Sequence, residues 1–222
     1  MCMETPKDPT SIDNRISEGL SRIAIAMRSD EWSKAEKAGL KPTQLAILEF
    51  LAGRNGARVK EIAAHLGVSQ PTATDSIAAL ERKGLVAKAS APDDKRATAI
   101  RITVEGTAAL GSVSPIETAA MEAARSLSAN EREGLLLSLV KMIRHLQEAN
   151  AIPIQRMCTS CRYFRPYQHS GAAKPHHCNF VNAAFGRNEL RIDCRDHETA
   201  DPATRAATWD AFEKDRRTLQ AT

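Results

Sequence analysis

What the chain lacks narrows its reading first. No apolar run approaches the ~18 residues that a membrane-spanning helix requires, so an integral membrane protein is excluded. The first ten residues, Met1 to Thr10, are polar, carry Pro6 and Pro9 and contain no apolar h-region. No secretory signal is therefore expected, and the location expected is cytoplasmic. Five cysteines among 222 residues are too few for a disulfide scaffold. There is no internal repeat and no low-complexity segment. No nucleophile–base arrangement, phosphate-binding glycine loop or pair of carboxylates suggests catalysis, so the expectation is that the chain is not an enzyme.

What is present has the balance of a globular protein, 42% hydrophobic and 26% charged with a net charge of +4. That charge is unevenly placed. Residues 54–102 hold nine basic and five acidic side chains, an excess equal to that of the whole chain. A solvated face would also give such an excess, but it is what a segment meeting phosphate needs.

Hydrophobic spacing divides the chain. Ile12, Ile16, Leu20, Ile23 and Met27 recur at steps of four, four, three and four, which predicts one long helix over 11–38. A short helix follows Pro42, and Val59 to Leu66 is a two-turn helix closed by Gly67. Ser69 caps a further helix with Pro71 in its first turn, ending at Lys83 before Gly84. Two β-like runs, Leu85–Lys88 and Thr98–Ile102, flank the polar turn Ala91-Pro-Asp-Asp-Lys-Arg96 and read as a hairpin. Residues 105–125 and 128–149 read as helices, the second opened by a Ser128–Glu131 capping box and carrying Leu135, Leu136, Leu139, Met142, Ile143 and Leu146 on one face. Beyond residues 151–156 the composition changes, and the next amphipathic helix is expected at 203–220.

Two short helices around a Gly turn, the second opening Ser-Gln-Pro-Thr, make a helix-turn-helix pattern. Ala64 is taken as the small residue where the two helices approach, with Ala73, Ile77 and Leu80 facing the core. Pro71, Asp75, Ala79 and Arg82 then face outward, flanked by Thr72 and Ala78. That polar or small face suits a helix lying in the major groove. Ser69, Gln70 and Thr74 complete the residues expected at DNA, and Lys95 and Arg96 at the hairpin tip can reach a phosphate or the minor groove.

With these parts in order, the chain resembles the MarR family of winged-helix transcriptional regulators over about residues 11–149. The residues that carry the resemblance are Ser69-Gln-Pro-Thr-Ala-Thr74, Leu80-Glu-Arg-Lys-Gly-Leu-Val86 and Asp94-Lys-Arg-Ala-Thr-Ala-Ile-Arg-Ile-Thr-Val-Glu-Gly106. The resemblance implies a homodimer built through the terminal helices, binding to a palindromic double-stranded DNA operator, and release by a small-molecule effector. Asp75 stands where many members carry a basic residue. A carboxylate there disfavours phosphate but accepts a hydrogen bond from a cytosine amino group.

Four of the five cysteines crowd together as Cys158-Thr-Ser-Cys161, then Cys178 after sixteen residues and Cys194 after fifteen more. A Cys-x-x-Cys turn lets two thiolates converge, and two ligands from distant loops close a tetrahedron. Free structural thiols and a disulfide pair are the plainer alternatives. The segment looks poor in apolar residues, so a bound metal would supply the folding energy that its core lacks. Zinc is the default, held by four thiolates or by three with His197 as a substitute ligand. The spacing, with Tyr163 and Phe164 after the second cysteine, also resembles the cluster loop of high-potential iron–sulfur proteins, so a [4Fe–4S] cluster is the alternative. His176 and His177 read as solvated groups or donors to the ligands, and Cys2 as a free thiol.

The fold expected is mainly α with a small β-wing. A winged helix-turn-helix and dimerisation helices occupy 11–150, a Cys-rich metal-binding module 151–200, and a helical tail 201–222. The function expected is that of a homodimeric, sequence-specific DNA-binding regulator, a repressor, with a structural or sensory metal centre. The alternative is an iron–sulfur protein, responsive to redox state or metal, in which the cluster is the main functional site.

Overall fold

The computed structural model describes residues 11–90, 98–112, 118–169 and 172–219. Helix α1 (Ile12–Lys37) starts at Ser11, whose hydroxyl accepts the Asn14 amide at 3.3 Å. Of its own residues only Ala35 is buried, and Ile12, Ile16, Ile23 and Met27 are exposed on the single chain. A stripe so spaced is helical by pattern but lacks a cover.

Helices α2 (Pro42–Leu51), α3 (Val59–Leu66) and α4 (Gln70–Arg82) pack with strands β1 (Val86–Ser90) and β2 (Thr98–Ile102) around an aliphatic core. Leu45, Ile47, Leu48, Leu51, Ile62, Leu80 and Ile100 are its buried centre. Strands β1 and β2 are antiparallel, with Val86 opposite Ile102 and Ser90 opposite Thr98. Ala57 joins them by exchanging two hydrogen bonds with Ile100, at 3.0 and 2.8 Å. Gly67 ends α3 in the left-handed region, where a side chain would be strained. The sequence reading of Ala64 is corrected here. Ala64 is exposed, and the buried small residue of α3 is Ala63, which continues the inward stripe through Ile62.

The Thr-x-x-Gly pattern after β2 has a physical cause. The Thr103 hydroxyl donates to the Gly84 carbonyl at 2.8 Å and accepts from the Gly106 amide at 3.0 Å, tying the end of the wing to the end of α4. A Cβ on Gly106 would fall on the Leu85 carbonyl oxygen.

Residues 105–125, read as one helix, are two: α5 (Val104–Ser112) and α6 (Ala119–Arg125). Thr118 begins the second by accepting the Met121 amide at 3.1 Å, and Pro115 in the intervening sequence has no amide to continue the first. Helix α7 (Ala129–Glu148) opens on the expected Ser128–Glu131 capping box. Its Leu135, Met142 and Leu146 stay exposed, whereas Leu137 and Val140 are buried.

Beyond α7, strands β3 (Phe164–Arg165), β4 (His176–Cys178) and β5 (Ala183–Phe185) form an antiparallel sheet in that order, and α8 (Pro202–Leu219) follows. This segment does have an apolar core, contrary to the sequence reading. Leu137 of α7, Phe164, Leu190 and Phe212 of α8 form it, with Phe212 1% exposed and its ring against Phe164, Tyr167 and His176. The contributors are far apart in the chain, so no local periodicity announces them.

Candidate functional site

Two sites are built by this fold. The first is the outer face of α4. Ser69 accepts the Thr72 amide at 3.2 Å, and its hydroxyl lies 2.8 Å from that of Thr72. The Thr74 hydroxyl donates back to the Gln70 carbonyl at 2.8 Å. With their hydroxyls held locally, Ser69, Thr72 and Thr74 stand on the exposed face together with Gln70, Pro71, Asp75 and Arg82. The opposite face, Ala73, Ile77 and Leu80, is buried. Glu81 pairs with Lys88 of β1 at 2.8 Å, and Lys83 donates to the Gly39 carbonyl at 2.8 Å, so the end of α4 is braced from both sides. Lys95 and Arg96 lie outside the described residues, as does Cys2. A braced helix with a small or polar outer face beside a two-stranded wing is the DNA-reading unit of a winged-helix protein.

The comparisons with known proteins agree. Residues 38–97 match the model of the MarR family. The chain is 31% identical over 114 residues to an uncharacterized HTH-type transcriptional regulator of Bacillus subtilis, YkoM, spanning 51% of this chain and 74% of that one. It is 26% identical over 124 residues to the HTH-type transcriptional regulator MhqR of the same organism, covering 56% and 86%. The crystal structure of the transcriptional regulator SlyA shares the fold, with a TM-score of 0.52 at 23% identity over 60% of this chain and 95% of that one. The chain belongs to the MarR family. It is a DNA-binding transcriptional regulator and not an enzyme. Among the described residues, no helix is long and apolar enough to cross a membrane.

The second site lies in the C-terminal segment. Cys158 opens a single 3-10 turn, and the Cys161 amide donates back to the Cys158 carbonyl at 3.0 Å, which turns both side chains to one side. Cys178 ends β4 opposite Phe164, and the Cys194 amide is held by the Arg156 carbonyl at 2.9 Å. All four thiols are free, and all four line one cavity of about 310 Å³. Tyr163, Phe164, Phe180, Val181 and Phe185 supply its apolar wall. The Arg191 amide donates to Cys158 Sγ at 3.3 Å, and the Arg191 guanidinium to Cys194 Sγ at 3.5 Å. Burial pushes the Cys158 thiol up to about 11. The Arg191 amide opposes that shift, and negative charge on Cys194, Cys161 and Cys178 adds to it. Among the described residues, no three His, Cys, Asp or Glu side chains form a group that could hold one metal ion as they stand.

The histidines lie elsewhere. His197 is not among the residues lining the cavity, and its Nε2 lies 2.9 Å from Ser160 Oγ. His176 is fully buried in the aromatic core, where its Nδ1 accepts the Tyr167 amide at 3.3 Å. The expectation that His176 is solvated is therefore corrected. Burial, reinforced by Arg187, pushes its pKa down to about 4 and keeps it neutral. His177 bonds to His169 at 3.1 Å and Asn182 at 3.2 Å.

Sequence reasoning missed the junction between the two sites. Asp193, beside Cys194, pairs with Arg156 at 2.7 Å and with Arg54 at 3.7 Å, in the turn after α2. Arg54 donates to the Phe50 carbonyl and lies 3.8 Å from the Phe50 ring centroid. Burial and the neighbouring Arg156 push its guanidinium down to about 10, against the pull of Asp193, so it stays charged near neutrality. Nothing in the spacing of Arg54 and Asp193 signals a pair 139 positions apart.

Proposed function

We propose that the chain represses transcription as a homodimer that occupies a two-fold-symmetric operator. Two copies of α4 enter successive major grooves, and Lys95 and Arg96 of each wing contact the flanking backbone or minor groove. The observation that carries this reading is the uncovered apolar surface of the terminal helices: Ile12, Ile16, Ile23 and Met27 on α1 and Leu135, Met142 and Leu146 on α7. A second copy is the economical cover for such stripes, and a two-fold dimer presents two recognition helices to matched half-sites. Release by a small-molecule effector belongs to the same reading. Footprinting should show a dimer protecting half-sites about 10 bp apart. Leu135→Glu combined with Met142→Glu changes positions already open to solvent, so the chain should stay folded while dimer mass and operator protection are lost. A dimer of unchanged affinity in that variant would overturn the arrangement.

The reading includes a metal centre at Cys158, Cys161, Cys178 and Cys194, either zinc or an iron–sulfur cluster, structural or sensory. Four free thiols on the wall of one cavity, two of them receiving N–H donors, support it. Elemental analysis beside a Cys178→Ser variant tests it, and a metal-free wild-type protein would remove the centre.

A further inference from the structure

The thiol cavity and the junction that leads from it to the helix-turn-helix point beyond a generic metal centre. A zinc ion bound at ~2.3 Å by four thiolates draws the sulfurs to within about 3.8 Å of one another and leaves no void between them. Here the four thiols are among the residues that line a cavity of about 310 Å³, and no three of the candidate ligands are grouped for one ion. That space is about twice the ~150 Å³ of an engineered cavity large enough for benzene. An occupant that fills this space and reaches all four sulfurs is a body of several atoms. A [4Fe–4S] cluster is such a body and takes four cysteine thiolates. The surroundings suit it. Tyr163, Phe164, Phe180 and Phe185 give it an apolar wall, and Arg191 directs N–H donors at two of the sulfurs, the kind of contact that tunes such clusters.

Cys194 also connects this cavity to the DNA-reading half. Its neighbours in sequence both touch the turn after α2. Asp193 holds Arg54, and the Arg195 side chain lies so close to Gly53 that a Cβ there would come within 3.0 Å of Arg195 Cδ. Arg54 in turn covers Phe50, whose ring lies 4.5 Å from that of His65 on α3, and α2 packs directly on α4. One ligand loop thus rests on the first helices of the DNA-reading unit.

We propose that Cys158, Cys161, Cys178 and Cys194 ligate a [4Fe–4S] cluster, and that the cluster holds the Cys194 loop against Arg54 so that its loss weakens DNA binding. The coupling rests on the regulator reading above; the cluster does not. With the cluster in place, Cys194 is tied to three sulfurs from the other segments, and Asp193 and Arg195 keep their places on the α2 turn. Without it, the loop keeps the Arg156 contacts, the Cys158 amide on the Arg191 carbonyl and the His197–Ser160 contact, but Cys194 loses its tie to the other sulfurs and the Asp193 brace on α2 loosens.

The test uses the full chain, loaded anaerobically with equal parts of ferrous and ferric salt and with sulfide, beside a metal-stripped sample and a zinc-loaded one. About four iron and four sulfide per chain, with a thiolate-to-iron band near roughly 400 nm, are expected. One zinc per chain, with no iron, sulfide or band taken up on loading, would overturn the cluster. A duplex selected from a random pool by the iron-loaded protein then serves as the binding probe. The stripped protein should bind it about tenfold more weakly, within the 5–150-fold span of ordinary coupling. Equal affinities would overturn the coupling. Cys→Ser variants can damage the fold, so Arg54→Ala is the decisive variant: it should keep iron, sulfide and band while the difference between loaded and stripped protein shrinks to less than about twofold. A full tenfold difference in Arg54→Ala would refute this route. Failure of every form to retain duplex DNA would sink the regulator reading and the coupling together, and the iron and sulfide counts would still decide the cluster.

Discussion

The two halves of this chain hold themselves together in different ways. The winged helix is built from helices and strands whose inward residues repeat at helical or strand spacing, and Leu45, Leu48, Leu51, Ile62, Ile77, Leu80 and Ile100 meet in one aliphatic core. The cysteine-rich half has strands of two or three residues and an aromatic centre of Phe164, Tyr167, His176, Phe185 and Phe212. The first core is assembled mostly from neighbours within about sixty residues of sequence. The second draws on α7, on strands β3, β4 and β5 and on α8, so it forms only when distant segments close together. Local periodicity specifies the one; loop closure specifies the other.

The sharpest way to break this comparison is Phe212→Ala. A buried aromatic truncated to alanine costs ~3–5 kcal/mol, and Phe212 is 1% exposed at the centre of the second core. Limited proteolysis should cut residues 151–219 early while the winged helix stays protected. If both halves were lost in one transition, the separation of the two cores would be wrong. The result also bears on the thiol site, because a core independent of metal should keep the stripped module partly folded. That differs from the sequence expectation of a module that depends on its metal.

Gly106→Ala tests the winged half alone. The added methyl meets the Leu85 carbonyl, and over-packing of this kind costs ~1–3 kcal/mol. The midpoint of the winged-helix transition should fall, with the spectroscopic signature of the thiol site unchanged. Equal loss in both halves would show that they unfold as one.

Ser69→Ala should cost about 1 kcal/mol through loss of the α4 cap. Ser69→Asp retains an acceptor at the same place and should restore the stability. Thermal melts of the three proteins check this, and no recovery in Ser69→Asp would assign the effect to something other than capping.

The smallest effect expected lies at the start of α7. Ser128 donates its hydroxyl and amide hydrogens to the Glu131 carboxylate, holding that carboxyl below its ordinary range. A depressed carboxyl contributes stability above its ordinary pKa and loses it as pH falls through the lower folded value. Amide exchange in the first turn of α7 should therefore quicken on acidification below about pH 4.5, the ordinary value for this group. Glu131→Gln keeps a neutral acceptor and should flatten the response. An unchanged pH profile in that variant would place the titration elsewhere.

The helices, the β1–β2 hairpin, the Ser69 cap and the outward face of α4 are legible in the sequence because each depends on spacing within one or two turns of chain, and the crowding of four cysteines is legible by count; the short strands β3, β4 and β5 are not. The exceptions are instructive. The sequence points to Ala64 rather than Ala63 because a two-turn helix leaves its phase loosely defined, and only packing against α4 settles which alanine is buried. The composition predicts one helix over 105–125 because it stays helix-compatible on both sides of Pro115, whereas the Thr118 cap starts a second.

Other features were decided by tertiary structure alone. Leu137 and Val140 lie off the predicted apolar face of α7, and they are buried while Leu135, Met142 and Leu146 on that face remain exposed. His197, the substitute ligand by spacing, is bonded to Ser160. The four thiols line one cavity because Cys178 ends a strand paired with Phe164 and Cys194 hangs from the Arg156 backbone. The same closure sets Asp193 beside Arg54. Sequence determines what each segment can become through nearest-neighbour geometry; which segments share a core, a cavity or a charge depends on contacts made across the chain, and those exist only once the loops have closed.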